Sequence, residues 1–199
     1  MRKILLFIAI LFFSLTTRAQ ETKNRKQPGI ENFFVGGSVS LGLGIFNRQF
    51  IAGLHPHFGY TLAKWIDVAM VLNFEYSSIR DEFNDKYHNT TYGTGAFIRI
   101  YPVNFLFLQA EPEYNFIDLK YIPDQGNIQK LKINAPSLLI GAGYVTERED
   151  KNTFSYISLL IDVLKDPNSP YIDGNGRFIP VIRAGLNIGL RKKQKRWKH

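Results

Sequence analysis

FIPVIRAGLNIGL, residues 178–190, is the stretch that predicts the fold of this chain. Its even-numbered positions are all apolar: Phe178, Pro180, Ile182, Ala184, Leu186, Ile188 and Leu190. From position 183 onward its odd-numbered positions are small or polar: Arg183, Gly185, Asn187 and Gly189. Because successive side chains of a β-strand point to opposite faces, the stretch predicts a strand with one apolar face and one polar or crowded face.

The same alternation recurs along the chain, and this recurrence indicates more than any single run. Eight runs show it, at residues 35–44, 52–61, 67–77, 92–101, 106–116, 136–144, 156–163 and 178–190. A tilted membrane-spanning strand needs about 9–11 residues, which most of the runs match. Inside a bilayer every backbone N–H and C=O must be paired within the protein, so spanning strands must close on themselves. The sequence therefore predicts an all-β fold, an eight-stranded antiparallel up-and-down transmembrane β-barrel.

The chain divides into four segments. Residues 1–19 have a basic start, an apolar run at 4–13 that is too short for a spanning helix, and small residues before the expected cleavage point, which together predict a cleaved signal peptide. Residues 20–32 are polar and predict a periplasmic lead-in, residues 33–190 form the barrel, and residues 191–199 form a basic periplasmic tail. The absence of Cys excludes a disulfide scaffold and a thiolate zinc site.

The connections between the predicted strands alternate in length. Short turns are expected at residues 63–65, 102–104 and 147–152. Longer, polar loops are expected at residues 80–91, 122–134 and 165–177, while the first connection, at residues 46–49, is a short exception on that side. Long loops on one side and short turns on the other are typical of outer-membrane barrels. We therefore expect the Gram-negative outer membrane, with the long loops extracellular and both termini periplasmic.

The formal net charge of +8 is concentrated outside the predicted strands. Six of the basic residues lie in the tail at 191–199, and three more are in the signal peptide. The rest of the chain is nearly neutral, so a nucleic-acid-binding surface is not expected.

Polar residues on the predicted inner face form the main candidate cluster. They are His55, His57, Asp67, Glu75, Arg99, Glu111, Glu113, Asp162 and Arg183. Side chains fill the interior of an eight-stranded barrel, and buried charges need partners, so we interpret the cluster as structural. A polar pathway or a binding site in the lumen is the alternative. Arg99 lies on the strand beside that of Glu111 and Glu113, so we expect these groups to pair.

Two inner-face pairs have a possible chemical role. His55 and His57 could bind a metal, but no third ligand lies nearby in sequence, so we expect hydrogen-bonded lumen residues instead. Glu111 and Glu113 resemble paired catalytic carboxylates, but the expected neighbour Arg99 favours an ion pair. We predict no catalytic residue, no metal and no cofactor.

Aromatic and proline residues give two further expectations. Interface aromatics are predicted at Tyr60, Trp65, Tyr76, Tyr92, Tyr101, Tyr114, Tyr144 and Trp197. Prolines within the predicted strands are Pro56, Pro112, Pro136 and Pro180. Proline removes a donor from the strand ladder, so we expect these residues near strand ends or bulges.

Several short patterns carry a family resemblance. They are Arg18-Ala19-Gln20 at the end of the signal peptide, Pro136-x-Leu138 followed by Gly141-x-Gly143-Tyr144, and the closing run Gly185-Leu186-Asn187-Ile188-Gly189-Leu190. With the eight alternating runs, they resemble the PorT-like outer-membrane β-barrel proteins, which belong with the OmpA/OmpX-type small barrels. The resemblance implies an outer-membrane barrel and, because known members include a protein needed for type IX secretion, a role in export. It implies no catalytic residue.

We expect a non-enzymatic integral outer-membrane protein whose barrel anchors extracellular loops for binding or supports protein export. Its partners would be outer-membrane lipid and either an extracellular ligand or a secretion-machinery protein. One alternative is an outer-membrane lipid hydrolase that pairs a serine with His55 or His57. The candidate serines are Ser38, Ser40, Ser77, Ser137 and Ser158. Another alternative is a soluble periplasmic lipocalin-like barrel, which would have an apolar interior and a polar exterior.

Overall fold

The computed structural model describes residues 32–44, 49–80, 85–123, 127–146, 148, 153–173 and 175–190. The predicted signal peptide, the lead-in apart from Asn32, and the basic tail lie outside the described residues. Among the residues that are described, no helix is long and apolar enough to cross a membrane.

Eight strands account for almost all of the described chain. They are β1 (Phe33–Gly44), β2 (Gln49–Ala63), β3 (Ile66–Arg80), β4 (Lys86–Val103), β5 (Leu106–Ile122), β6 (Gln129–Val145), β7 (Thr153–Asp162) and β8 (Val181–Gly189). Each strand pairs with the next in antiparallel fashion. The ring closes between β1 and β8, from Phe34 opposite Gly189 to Leu41 opposite Ile182. The predicted eight-stranded up-and-down barrel is confirmed.

The two faces of the sheet have opposite chemistry. Exposed apolar side chains cover the outside, such as Val39 on β1, Leu54 on β2, Met70 on β3, Leu108 on β5 and Ile182 on β8. We call this outer band the apolar belt. Buried polar side chains dominate the inside of the same strands. This is the reverse of the pattern expected for a lipocalin-like soluble barrel, and it is the arrangement of an outer-membrane-type barrel.

The two ends of the barrel differ. The β2–β3 and β4–β5 turns, at Lys64-Trp65 and Asn104-Phe105, lie at one end, which we call the turn end. β1 begins and β8 finishes at this same end. The other end, which we call the loop end, carries the connection of residues 163–180 between β7 and β8.

Strands β3 to β6 are longer than the sequence predicted. Most of the loops expected at 80–91 and 122–134 are strand, since β4 begins at Lys86, β5 ends at Ile122 and β6 begins at Gln129. The register continues through this part, with Asp118 opposite both Thr90 and Lys132. These segments extend past the apolar belt, where their outward positions are polar, such as Thr90, Asp118 and Lys132. The outward apolar residues that reveal the spanning part are therefore missing there.

The prolines follow the expectation in one position of four, since Pro180 directly precedes β8. Pro136 lies in the interior of β6, beside the part of that strand that does not pair with β7, because the β6–β7 pairs start at Leu139 with Asp162. Pro56 and Pro112 also lie in strand interiors without a register shift beside them. Beside each of these two prolines, the pairing with one neighbouring strand is interrupted. On the β3 side of Pro56, for example, the pair Leu54 with Phe74 is followed directly by the pair His57 with Val71. Proline has no N–H to donate, so a strand accommodates it where the ladder to one neighbouring strand is interrupted.

Candidate functional site

The centre of the lumen is a buried cluster built around Arg183 on β8. Its Nη1 donates to Glu111 Oε1 at 2.8 Å, and its Nη2 donates to Glu113 Oε1 at 2.9 Å. Both glutamates project inward from β5, on the far side of the ring, so the cluster bridges the barrel. A guanidinium fork satisfies two carboxylates in a way that a single point charge cannot. This bridge fills the narrow interior.

Arg99 does not make the pair that the sequence predicted. Its Nε donates to Gln109 Oε1 at 2.7 Å, and Gln109 Nε2 then donates to Glu111 Oε2 at 2.5 Å. The Arg99 guanidinium also lies 4.0 Å from the Tyr156 ring centroid and 4.3 Å from that of Phe97. Aromatic faces and one amide oxygen therefore surround this cation, because Arg183 already occupies the glutamates.

The turn end of the lumen is closed by Arg148, which lies between β6 and β7. Its Nη2 donates to Asp67 Oδ1 at 2.8 Å, and its Nη1 donates to the Lys64 carbonyl at 2.5 Å. The guanidinium carbon lies 3.8 Å from the centroid of the Tyr101 ring. Tyr101 is buried inside the barrel with Phe107, so its prediction as an interface aromatic is wrong. It occupies an odd position of β4, whose odd positions face inward.

The loop end is closed by the β7–β8 connection. Tyr171 is fully buried, and its hydroxyl oxygen lies 2.9 Å from Glu113 Oε2 and 3.2 Å from Glu75 Oε1, so the two carboxyl groups share its single donor proton. Burial, together with the Glu113 and Glu75 carboxylates, raises the pKa of Tyr171 well above its ordinary value, so the hydroxyl stays a donor. Its ring packs with Leu139 and other buried apolar side chains.

Asp162, at the end of β7, fixes the start of this connection. Its Oδ1 accepts from the backbone N–H groups of Leu138 and Leu164, and its Oδ2 accepts from the Ser169 hydroxyl at 2.6 Å. A carboxylate satisfied by several donors holds a chain segment rather than performing chemistry.

The two histidines have different side-chain partners, and His57 Nδ1 also lies 3.2 Å from the His55 carbonyl oxygen. His57 Nε2 lies 2.7 Å from Asn187 Oδ1. His55 Nε2 lies 2.9 Å from Ser40 Oγ, and His55 Nδ1 lies 3.0 Å from Asn73 Oδ1. Among the described residues there is no group of three or more His, Cys, Asp or Glu placed to hold a metal ion.

The structure thus places all nine predicted lumen residues inside the barrel. The sequence named Ser40 as one of five serines that could pair with a histidine, but it did not select several other partners: Asn73, Gln109, Arg148, Tyr171 and Asn187. The inward positions of Asn73, Gln109 and Asn187 on their strands could have indicated these three residues. Arg148 and Tyr171 lie outside the strands, so no periodicity could have indicated them.

Aromatic side chains mark both borders of the apolar belt. The other predicted interface residues that the structure describes, Tyr60, Trp65, Tyr76, Tyr92, Tyr114 and Tyr144, all lie on the outside or at a turn, and Trp197 lies outside the described residues. Toward the loop end Tyr92 stacks on Phe116 with centroids 5.6 Å apart. Beyond this pair the outward positions become polar, starting with Thr90 and Asp118.

Strands β3 to β6 continue past that aromatic border as a sheet that we call the extension. It consists of residues 76–80, 86–91, 117–122 and 129–135. Its outward face carries lysines, while the opposite face carries Tyr87 and Tyr121, with ring centroids 4.9 Å apart, and the exposed Leu131. That opposite face borders a cavity of about 300 Å³ lined by Tyr87, Asn89, Leu119, Lys120, Tyr121, Gln129 and Leu131.

A polar, filled lumen inside an apolar outer surface defines the class: this is a small eight-stranded β-barrel of the outer-membrane type. No family model and no curated protein matches the chain, so the PorT-like resemblance stays a prediction.

Solved structures of other barrels are similar in shape. Two are of Ail, the attachment invasion locus protein of Yersinia pestis, one of them in complex with the heparin analogue sucrose octasulfate. They are 12% and 11% identical to this chain, cover 79% of it and 95% of Ail, and have TM-scores of 0.48 and 0.47. The translocator domain of the autotransporter NalP from Neisseria meningitidis is 8% identical, covers 92% of this chain and 94% of that domain, and has a TM-score of 0.41.

Proposed function

We propose that this protein is a non-enzymatic outer-membrane barrel that presents the extension for binding at the cell surface, either to an extracellular ligand or to a protein of an export machine. The observation that carries the proposal is the contrast between lumen and extension. The lumen is closed by Arg148 at the turn end and by Tyr171 at the loop end. The extension, in contrast, reaches beyond the apolar belt and carries exposed side chains there, such as Leu131.

The face of the extension with Tyr87 and Tyr121 has the composition of a recognition surface. Tyrosine supplies a large contact area at a low cost in side-chain entropy, and exposed apolar groups beside it favour protein contact. Leu131 is 60% exposed there, although its position on β6 is held by pairing with Leu119. We therefore expect the partner to contact this face.

The experiment is complementation of a deletion strain, read by mass spectrometry of the secreted proteins and by a cell-surface binding phenotype. Leu131→Glu tests the proposed face, and Thr90→Glu on the opposite face of the same sheet is the matched control. A difference in gel migration between heated and unheated samples verifies that the barrel of each variant is assembled. We expect Leu131→Glu not to restore the phenotype of the deletion strain, whereas Thr90→Glu and the wild type restore it.

The export version and the surface-binding version of the proposal predict different results for the secreted proteins of the deletion strain. Loss of a set of secreted proteins, restored by the wild type, would support the PorT-like export role. An unchanged secretome would remove the export role and leave surface binding. Full rescue of both phenotypes by Leu131→Glu would contradict the proposal.

A lipid hydrolase is the second candidate, because Ser40, His55 and Asn73 have the order of nucleophile, base and orienting group. All three are at most 1% exposed, which argues against access by a lipid substrate. Labelling with a fluorophosphonate probe tests this candidate directly. Modification of Ser40 that is lost in Ser40→Ala would establish a reactive serine, and an unlabelled wild-type barrel would remove the candidate.

A further inference from the structure

The outward face of the extension carries a cluster of basic side chains that the proposed function does not use. We call His88, Lys120, Lys130 and Lys132 the basic patch. The strand register places them side by side, with His88 opposite Lys120, Lys120 opposite Lys130, and Lys132 one step closer to the belt opposite Asp118. The patch borders a groove of about 640 Å³ that Tyr76, Thr90 and Asp118 also line.

The charge of the patch is poorly neutralised. Asp118 pairs with Lys132 across 3.7 Å, and both side chains are largely in solvent, so this contact is weak. Among the described residues no carboxylate pairs with Lys120 or Lys130. An exposed face with three lysines and one aspartate attracts anions.

The position of the patch relative to the membrane selects the kind of anion. On β5 the outward positions run from Phe116, in the aromatic border, to Asp118 and then Lys120. Each two-residue step along a strand advances about 7 Å, so the lysines begin one step beyond the aromatic border. Aromatic girdles lie at the membrane interface, which puts the ammonium groups at the depth of the lipid headgroups.

The apolar belt lies directly below the patch. On β5 the outward positions that precede Phe116 are apolar or aromatic, among them Leu108, Ala110 and Tyr114. A lipid has acyl chains and, when phosphorylated, anionic groups in this same order.

We propose that the basic patch binds the phosphate groups of a phosphorylated lipid in the leaflet at the loop end of the barrel. This inference is independent of the proposed function, because it concerns the opposite face of the extension. Phosphate accepts hydrogen bonds from several ammonium groups at once, and each basic residue near an anionic lipid surface strengthens binding by about fivefold.

Lipid binding by the full barrel in neutral detergent tests the proposal, with native mass spectrometry as the readout and lipid A as the probe. Diphosphorylated lipid A is compared with chemically dephosphorylated lipid A. The test variant is Lys120→Gln, Lys130→Gln and Lys132→Gln combined, and the matched control combines Lys64→Gln with Lys165→Gln. All of these lysines are exposed, so both variants should fold.

We expect the wild type and the control to prefer the phosphorylated lipid, and the test variant to bind it at least about tenfold more weakly. Equal binding of the two lipids, or an unchanged affinity in the test variant, would overturn the proposal. Inorganic phosphate is added as a competitor in a separate series. Complete displacement of the lipid at an equal phosphate concentration would show a site for free anions and would overturn the assignment to a lipid headgroup.

Discussion

Arg183 shows how a single side chain can organise the interior of a narrow barrel. It is buried, and its two terminal nitrogens each hold a different glutamate of β5, while the Tyr171 hydroxyl lies 3.5 Å from Nη2. Removing charges from water is costly, so such a cluster exists only when its geometry satisfies all the partners together. The loss of one member therefore affects every other.

Substituting Arg183→Met should destabilise the barrel by about 3–5 kcal/mol, because Glu111 and Glu113 would remain as buried carboxylates without their cation. Denaturant unfolding of the refolded protein measures the change. The control variant adds Glu111→Gln and Glu113→Gln to Arg183→Met, which removes the charges together. We expect this triple variant to recover most of the stability. A triple variant as unstable as the single one would show that packing, not charge, determines the loss.

Among the elements, strand β6 illustrates how closely the strands approach one another. A Cβ atom at Gly141 would lie 1.9 Å from the Leu159 carbonyl oxygen of β7, whereas a Cβ atom at Gly37 on β1 would meet nothing nearer than 3.8 Å. The first position requires glycine for reasons of space, and the second does not.

Gly141→Ala should therefore impair the β6–β7 ladder and cost about 1–3 kcal/mol, because backbone atoms must move to admit the methyl group. Gly37→Ala is the matched control and should leave stability nearly unchanged. Refolding yield and the denaturant midpoint of both variants measure the difference. Equal effects of the two substitutions would contradict this account.

The β7–β8 connection is the element that closes the loop end, and its attachment depends on Tyr171. Replacing Tyr171→Phe removes the hydroxyl whose single proton lies between Glu75 and Glu113, so the connection should detach more often. A hydrogen bond to a charged group contributes about 1.5–3 kcal/mol. Trypsin cleavage after the exposed Lys165 and Arg177 should accelerate in the variant.

Cleavage after Lys64, in the turn at the opposite end, is the internal control and should proceed at the same rate in both proteins. If cleavage in the connection is equally fast in the wild type and in Tyr171→Phe, the hydroxyl does not hold this segment.

The whole molecule is a barrel whose polar interior is occupied, in the part of the chain that the structure describes, at both ends and in the middle. Arg148 and Asp67 occupy one end, the Arg183 cluster occupies the middle, and Tyr171 covers the other end. The apolar belt surrounds this interior, and the extension continues on one side only. The molecule therefore places its available polar surface outside the bilayer, not within its lumen.

In planar bilayers the intact barrel should give no steady current, and at most rare, small conductance steps, because ions would have to displace buried ion pairs. The measurement is single-channel recording at fixed voltage. The Tyr171→Phe variant, recorded under the same conditions, should show more frequent steps. A large and steady conductance of the wild-type protein would contradict the closed lumen.

Sequence patterning predicted the spanning part of the barrel well and its surroundings less well. Alternation identified eight strands and the inward position of Arg183, since a bilayer requires an apolar outer face at every second residue. It could not identify the strand segments at Lys86–Thr91 and Gln129–Ala135, because their outward positions lie beyond the apolar belt and are polar, so the outer apolar face that marks a spanning strand is missing there. It also could not identify the partner of Arg99, because several inward-facing acceptors lie on the neighbouring strand.

The sequence by itself determined the number of strands, their inner and outer faces, and the polar residues that fill the interior, because these depend on local periodicity. Only the tertiary structure decided which of those residues meet. Ring closure brings Arg183 of β8 to the glutamates of β5, and the path of the β7–β8 connection brings Tyr171 to Glu75. Such contacts depend on the curvature of the ring and on loop geometry, and neither property is encoded in the spacing of residues along a strand.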